Sequence, residues 1–170
     1  MDHKLILVGM MGAGKSTVGM ALAEILQVPF EDTDNMLQHK LGSSIKKIFG
    51  LYGEEAFRHH ETSILKSIEK GPGILATGGG IVLYERNWEE LRRLGTTIFL
   101  DVSATQLKDR LEKSRRKRPL LEIEDWQEKF DEMYAQRRPL YEQADVIFEV
   151  NIDGLESCAN LIIEKLELVK

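Results

Sequence analysis

Apolar runs that suit buried strands alternate with segments of helical spacing along almost the whole chain. The predicted strands span Lys4 to Val8, Val28 to Glu31, Gly73 to Thr77, Thr96 to Val102 and Val146 to Val150. Between them, apolar residues recur every three or four positions, as on one face of a helix. This alternation predicts an α/β fold in which helices cover both faces of a parallel sheet.

Several predicted helices begin with a capping pattern, in which a polar N-cap residue is followed three positions later by Glu or Gln. The pairs are Asn87 with Glu90, Ser103 with Gln106, Asp125 with Glu128, and Asp153 with Glu156. Gly95 is predicted to end a helix before the fourth strand. The segment 43–70 predicts two helices separated near residues 50–53. No repeat or linker divides the chain, so we expect a single domain over residues 1–170.

Composition places the chain among ordinary globular proteins. Its 170 residues are 42% hydrophobic and 30% charged, and the net charge of −5 argues against a general nucleic-acid binder. The first strand begins so early that we expect no signal peptide, and no apolar run reaches the roughly 20 residues that span a bilayer. Cys158 lies among apolar residues at helical spacing, which predicts a core position. We therefore expect a cytoplasmic protein without membrane partners.

The first predicted strand leads into a glycine-rich loop, residues 9–17, and then into a helix. The loop reads Gly-Met-Met-Gly-Ala-Gly-Lys-Ser-Thr and fits the phosphate-loop pattern G-x-x-x-x-G-K-[ST]. Its backbone N–H groups and the helix N-terminus favour an anion. The residues expected around the phosphates of a nucleoside triphosphate are Gly12, Ala13, Gly14, Lys15, Ser16 and Thr17. Lys15 would meet the β/γ-phosphates, and the Ser16 hydroxyl would be a Mg²⁺ ligand.

Two acidic positions compete as partners of this loop. Asp32 and Asp34 follow the second strand, and in an extended chain their side chains would point to one site. One could support Mg²⁺ through water and the other could accept a proton from a substrate hydroxyl. A turn that caps the next helix is an equally good interpretation of the pair alone. Asp101 ends an apolar run, but the capping pattern at Ser103 favours a strand-to-helix turn, so we rank Asp32 higher.

Two further features indicate a binding site for a small polar molecule. Arg58 and Glu61 are three residues apart on a predicted helix and can pair, either as a solvated salt bridge or as a fixed arginine that binds a carboxylate. Three glycines, residues 78–80, follow the third strand. They indicate either a flexible turn or a backbone that approaches a ligand closely.

The second half of the chain adds basic candidates. The cluster of Lys and Arg at 113–118 is either a solvated charged face or a mobile lid that brings an arginine to the phosphate. Arg137 interrupts an otherwise apolar helical stripe, which suggests that it projects into a site. Pro139 is expected to bend or interrupt that helix.

Taken together, these residues resemble the shikimate kinase family of small P-loop enzymes. The matching motifs, in family order, are Gly9 to Thr17, Asp32-Thr33-Asp34, Gly42-x-Ser44-Ile45, Gly53-Glu54, Phe57-Arg58, Gly78-Gly79-Gly80, Arg118-Pro119-Leu120-Leu121 and Arg137-x-Pro139-Leu140-Tyr141. The resemblance covers nearly the whole chain. It implies a three-layer α/β/α P-loop fold with sheet order 2-3-1-4-5, and ATP-dependent phosphorylation of the 3-hydroxyl of shikimate on the route to chorismate and aromatic amino acids.

The resemblance also implies roles for individual residues. Asp34 would act on the substrate hydroxyls as base or orienter, and Lys15 and Arg118 would neutralise phosphate charge. The expected shikimate contacts are Arg58, Arg137, the backbone of Gly78, Gly79 and Gly80, and the rings of Phe49 and Phe57. Ser16 would bind Mg²⁺ and Asp32 would support its water shell. Arg110 and Asn151 would lie near the nucleotide base.

The resemblance further implies a substrate-binding helical region at about 34–61, a lid at about 113–125, and a monomer. Two alternatives stay open at this point. One is a P-loop kinase of another small hydroxy acid such as gluconate, and the other is a nucleotide-binding relative without turnover. A GTPase switch is disfavoured because neither D-x-x-G nor N-K-x-D occurs in the sequence.

Overall fold

The structure is a computed structural model that describes residues 2–114, 124–150 and 155–168. The strands are β1 (Lys4–Val8), β2 (Phe30–Asp32), β3 (Gly73–Ala76), β4 (Gly95–Asp101) and β5 (Val146–Glu149). The helices are α1 (Lys15–Leu26), α2 (Thr33–Leu41), α3 (Ile45–Ser67), α4 (Glu85–Leu94), α5 (Ala104–Lys113), α6 (Trp126–Tyr141) and α7 (Leu155–Lys165), with a 3₁₀ turn at Ile81–Leu83.

The five strands form one parallel sheet in the order β2-β3-β1-β4-β5, flanked by helices. Leu7 of β1 pairs with Ala76 on one side and with Ile98 on the other. Every residue of β1 is buried, as expected for the central strand of a sheet that is covered on both faces. The predicted α/β/α class and sheet order are confirmed.

The core lies on both sides of the central strands. Trp88, Phe99, Phe130 and Tyr141 are among its largest fully buried side chains, and Cys158 is buried with them, as predicted. The carboxyl ends of all the strands meet at one edge of the parallel sheet. This edge is the place where α/β sheets bind ligands.

Local predictions succeed in part. The Ser103 hydroxyl caps α5 by accepting from Gln106 N, and Gly95 follows the last residue of α4, as expected. The prediction for Asn87 is wrong, because α4 begins at Glu85 and Asn87 is a fully buried residue inside it. Asp125 lies at the N-cap position of α6, but its side chain makes no capping hydrogen bond. Asp153 lies outside the described residues.

The boundaries of the strands also shift. The second strand starts two residues later than predicted and ends at Asp32. The predicted break between two helices is confirmed at Gly53, whose φ of 75° lies outside the helical region within α3. Pro139 does not interrupt α6, which continues to Tyr141. A proline in the last turn removes one hydrogen bond where the helix is already ending.

No helix within residues 2–114, 124–150 and 155–168 is long and apolar enough to cross a bilayer.

Candidate active site

The loop between β1 and α1 has the backbone that its glycines predict. Gly12 and Gly14 have φ values of 85° and 93°, a region that favours glycine over residues with a side chain. Gly14 is the N-cap of α1 and offers no side chain to cap the first turn. The amide groups of this turn and the positive end of the helix dipole suit an anionic group.

Lys15, the first residue of α1, lies back across the loop. Its Nζ donates to Gly9 O at 2.7 Å and to Met10 O at 3.0 Å, and the residue is buried. The ammonium group is therefore held directly over the loop that would bind phosphates. Next to it, Ala13 is fully buried, while Thr17 is exposed on α1.

Asp32 connects the end of β2 to the phosphate loop. The Ser16 hydroxyl donates to Asp32 Oδ2 at 2.7 Å, while Asp32 Oδ1 accepts from the backbone N–H groups of Asp34 and Asn35 at 3.0 and 3.1 Å. Asp32 is thus the N-cap of α2 and a neighbour of the loop at once. The two interpretations of this aspartate are compatible, because each uses a different carboxylate oxygen.

Asp34 does not share the direction of Asp32. The extended-chain expectation is wrong, because the strand ends at Asp32 and Asp34 already belongs to the first turn of α2. Asp34 instead faces the glycine turn, where a Cβ on Gly78 would lie only 2.7 Å from Asp34 Oδ1. The two carboxylates therefore occupy neighbouring positions, one toward the loop and one toward residues 78–80.

Asp101 has a different partner. Its two carboxylate oxygens accept from Arg138 Nη1 and Nη2 at 2.7 and 2.6 Å. Arg138 also bonds the Tyr134 hydroxyl, and its pKa is raised, chiefly by the hydrogen bonds to Asp101. This fork-to-fork pair ties α6 to the end of β4 and satisfies the carboxylate.

A buried ion pair lies on the other side of the glycine turn. Arg58 Nη1 donates to Glu61 Oε2 at 2.7 Å, and both residues are almost fully buried on α3. A weaker contact joins Arg58 to the exposed Glu54 at 3.3 Å. Arg58 Nε is buried without a hydrogen-bond partner among the described residues. An unpaired buried donor carries a desolvation cost.

Glu61 interacts electrostatically with the other charged residues of this cluster. Burial is the largest influence and raises the pKa of the Glu61 carboxyl, and the nearby Asp34 carboxylate raises it further. Arg58 and, more weakly, Arg137 lower it. Asp34, Arg58 and Arg137 are thus all close enough to act on one carboxyl group, although they come from α2, α3 and α6. Arg137 is half-buried on α6, and its projection into the site stays a prediction.

The glycine turn fits between these side chains because it has none. A Cβ on Gly80 would overlap the guanidinium of Arg58, and a Cβ on Gly78 would crowd Asp34 and Glu61. A Cβ on Gly79 would lie 3.4 Å from Met11 N in the phosphate loop. The turn therefore packs against the loop on one side and against the charged cluster on the other. These glycines therefore allow close approach to the protein's own side chains and loop, while the approach of a ligand to the same backbone stays a prediction.

Two aromatic rings border Arg58. Phe57 is buried with its ring 5.2 Å from the Arg58 guanidinium, and its centroid is 5.4 Å from that of the partly exposed Phe49. On the far side of the phosphate loop, Arg110 Nη1 lies 3.5 Å from Ala13 O. Arg118 and Asn151 lie outside the described residues.

Two residues that link the elements around the site were not predicted to do so: Thr33 had no assigned role of its own, and Asn87 was expected only to cap a helix. The Thr33 hydroxyl accepts from Gly78 N at 2.9 Å and so fixes the start of the glycine turn. Asn87 donates to Ile81 O at 2.8 Å and accepts from Thr62 at 2.8 Å, which links α4, the 3₁₀ turn and α3. Their partners are distant in sequence, so no local pattern signals them.

A P-loop after the central strand of a 2-3-1-4-5 sheet, with a charged acceptor cluster beside it, defines a P-loop kinase. The family model described as "Shikimate kinase" matches residues 11–167. The chain belongs to the shikimate kinase family.

Individual relatives agree with this membership. The chain is 39% identical over 166 residues to a shikimate kinase of Legionella pneumophila (strain Corby), covering 96% of this chain and 94% of that protein. It is 42% identical to one of Cupriavidus pinatubonensis, covering 96% of this chain and 86% of that protein. Among solved structures, shikimate kinase from Acinetobacter baumannii in complex with shikimate superposes with a TM-score of 0.90 at 34% identity, covering 98% of this chain and 93% of that chain.

Proposed function

We propose that this protein transfers the γ-phosphoryl group of ATP to the 3-hydroxyl of shikimate, giving 3-phosphoshikimate and ADP. The observation that carries the proposal is the direct packing of the glycine turn, residues 78–80, between the phosphate loop and the Asp34–Arg58–Glu61 cluster. A donor and an acceptor bound on the two sides of this turn would be neighbours. Phosphoryl transfer depends chiefly on such positioning and on neutralisation of charge.

The donor half would hold the nucleotide through backbone and side-chain contacts. The loop amides at residues 12–17 would bind the phosphates, and the Lys15 ammonium would leave its carbonyl partners for the β/γ-phosphate oxygens. Arg110 is placed near the loop and would pack against the base. Asn151 and Arg118 are assigned to the nucleotide, and Arg118 to catalysis as well, from the family resemblance, within a lid at about 113–125.

The Ser16–Asp32 pair fits a Mg²⁺ site. A hydroxyl that already lies 2.7 Å from a carboxylate could bind the ion while Asp32 accepts hydrogen bonds from its water. Mg²⁺ usually keeps several water ligands and takes others from substrate phosphates, so a hydroxyl and one carboxylate are a sufficient protein contribution. When bound, Mg²⁺ would neutralise charge that builds up on the phosphate oxygens.

The acceptor half suits a hydroxylated carboxylate. Arg58, held by Glu61, would bind the shikimate carboxylate together with Arg137. The Asp34 carboxylate would accept the hydrogen bond of the reacting hydroxyl and take its proton as the phosphoryl group arrives. Phe49 and Phe57 would line one side of the ring, within a substrate-binding helical region at about 34–61.

The closing test is a coupled assay of ADP formation with ATP and Mg²⁺, over a panel of acceptors that includes shikimate, quinate and gluconate. We expect shikimate-dependent ADP formation that far exceeds that with the other acids. A preference for gluconate would mean that the protein is a P-loop kinase with a substrate other than shikimate. Nucleotide binding without acceptor-stimulated ADP formation would contradict the proposal as a whole. We also expect a cytoplasmic monomer, which sedimentation of the purified protein would check for oligomeric state.

A further inference from the structure

The hydroxyl of Tyr141 lies where the donor loop, the glycine turn and α6 meet. It donates a hydrogen bond to Gly79 O and lies 3.7 Å from the sulfur of Met10 in the phosphate loop. Arg137 lies one helical turn earlier on α6, on the same side of the helix as Tyr141. The hydroxyl thus contacts the glycine turn directly and lies beside the helix position that carries Arg137.

The direction of the hydrogen bond between Tyr141 and Gly79 follows from the protonation of the tyrosine hydroxyl. Burial is the largest influence on Tyr141 and raises its pKa to about 12, so the hydroxyl keeps its proton at neutral pH. It therefore donates to Gly79 O, which can only accept. The result is a direct hydrogen bond from α6 to the backbone of the glycine turn.

Fixing the Gly79 carbonyl also fixes the next amide. The described peptide bonds are all trans, so the carbonyl of Gly79 and the N–H of Gly80 point to opposite sides of one rigid plane. A glycine turn has broad backbone freedom unless something holds it. The Tyr141 hydroxyl holds this plane from the α6 side, which directs the Gly80 N–H away from Tyr141.

The ring of Tyr141 is held by other contacts. It is stacked on Phe99 of β4 with the centroids 5.2 Å apart, and only 1% of the residue is exposed. Any buried tyrosine needs a hydrogen-bond partner, so a purely structural role would also account for one bond. That role does not by itself explain why the partner is a carbonyl of the glycine turn, next to the phosphate loop.

We propose that Tyr141 is a positioning residue that sets the Gly79–Gly80 peptide plane for binding of the acceptor carboxylate. This inference rests on the proposed function, because it concerns the site assigned to shikimate. Tyr141 itself touches neither substrate in this scheme. Its effect is on the affinity for shikimate and not on the chemical step.

The test is Tyr141→Phe, which keeps the stacked ring and removes only the hydroxyl. The matched control is Tyr134→Phe on the same helix, which removes a hydroxyl that bonds Val102 O at 3.3 Å and Arg138. KM for shikimate, KM for ATP and kcat are measured for both variants and the original protein. Calorimetry with shikimate alone gives Kd without nucleotide, and thermal unfolding reports the stability.

For Tyr141→Phe we expect KM and Kd for shikimate to rise about three- to tenfold, the range that loss of one net hydrogen bond gives. We expect kcat and KM for ATP to stay within about twofold, and Tyr134→Phe to leave all these constants within about twofold. Unchanged shikimate constants in Tyr141→Phe, with or without lower stability, would overturn the inference. An equal rise in KM for ATP would overturn it too, because the effect would then not be confined to the acceptor side.

Measurement of the wild-type protein in the same assay distinguishes a failure of this inference from a failure of the proposed function. If the original protein phosphorylates shikimate and Tyr141→Phe binds it equally well, only the role of Tyr141 is wrong. If the original protein does not turn over shikimate, the proposed function fails, and the inference fails with it.

Discussion

The carboxyl ends of β2 and β4 carry similar sequences but use their aspartates differently. Each strand ends in an aspartate, and each is followed by a helix, directly after β2 and two residues later after β4. Asp32 accepts from the neutral hydroxyl of Ser16, whereas Asp101 is held by both nitrogens of the Arg138 fork. The Asp32 carboxylate can exchange its hydrogen bond from a hydroxyl for one from metal-bound water. The Asp101 carboxylate is already neutralised by a guanidinium, so its role is structural.

The position of a strand in the sheet does not determine which of Asp32 and Asp101 contacts the phosphate loop. β4 is the direct neighbour of β1, while β2 is separated from β1 by β3. Asp32 nevertheless reaches the loop, because α1 leaves the loop and packs over β3 and β2, which brings Ser16 toward the end of β2. The direction of the helix after the loop therefore matters more than the adjacency of the strands.

The largest effect is expected at Asp34, which lies two residues after the end of β2. The corresponding residue after β4 is Ser103, so the end of β4 has no acidic counterpart of Asp34. We expect Asp34→Asn to lower kcat by about 10²- to 10⁴-fold, since the variant cannot take the proton of the reacting hydroxyl. The kinetics of ADP formation with saturating shikimate check this, and circular dichroism checks the fold. A kcat within about tenfold of the original would contradict the assignment of Asp34 as the base.

The next effect is expected at Asp32. Asp32→Asn keeps the shape and the N-cap of α2, because asparagine caps as well as aspartate. It removes the charge that would orient water on Mg²⁺, so we expect activity to fall about 10- to 100-fold and the Mg²⁺ requirement to rise. A Mg²⁺ titration of the rate measures both. Unchanged Mg²⁺ dependence would assign Asp32 to capping alone.

The same comparison shows what a sequence can predict. The strands and the loop follow from apolar alternation and from a motif that is local in sequence, whereas the sheet order followed only from the family resemblance. The Arg58–Glu61 pair is local as well, because residues three apart on a helix are neighbours. For Asp32, the apolar-run pattern alone would have favoured Asp101, and only the capping pattern at Ser103 argued the other way.

What the sequence could not predict depends on packing between distant segments. The side chain of Asn87 looks like a cap because it is polar and precedes a helical pattern. It is instead satisfied in the core by Thr62, 25 residues away, and by Ile81 O. The contact of Gly80 with Arg58 requires α3 to lie against the end of β3. The direction of Asp34 depends on a strand ending at Asp32, and boundaries are the weakest part of any pattern-based prediction.

A smaller effect is expected at Asp101, and it should be of the opposite kind to that at Asp32. Asp101→Asn breaks a bidentate pair that ties α6 to β4, but Arg138 is more than a third exposed and keeps Glu142 as a partner. We expect a loss of about 1 to 2 kcal/mol in the free energy of unfolding, measured by urea titration.

Activity is the discriminating measurement for Asp101→Asn. We expect kcat within about threefold and unchanged Mg²⁺ dependence, because the pair lies outside the proposed metal site. A tenfold loss of kcat together with a raised Mg²⁺ requirement would mean that Asp101, and not Asp32, supports the metal site. Asp32→Asn, with preserved stability and impaired activity, serves as the matched contrast.

The smallest effect is expected at Ser103, the position after β4 that corresponds to Asp34 after β2. Its hydroxyl accepts from Gln106 N at 3.3 Å in an exposed setting, so Ser103→Ala should lower the free energy of unfolding by about 0.5 kcal/mol. Ser103→Asn, which restores a capping oxygen, should recover most of it. Both variants should keep the original kcat and shikimate KM, because this residue caps α5 and contacts none of the proposed substrate groups. A loss of activity in Ser103→Ala that Ser103→Asn does not recover would mean that the end of β4, like the end of β2, takes part in the site.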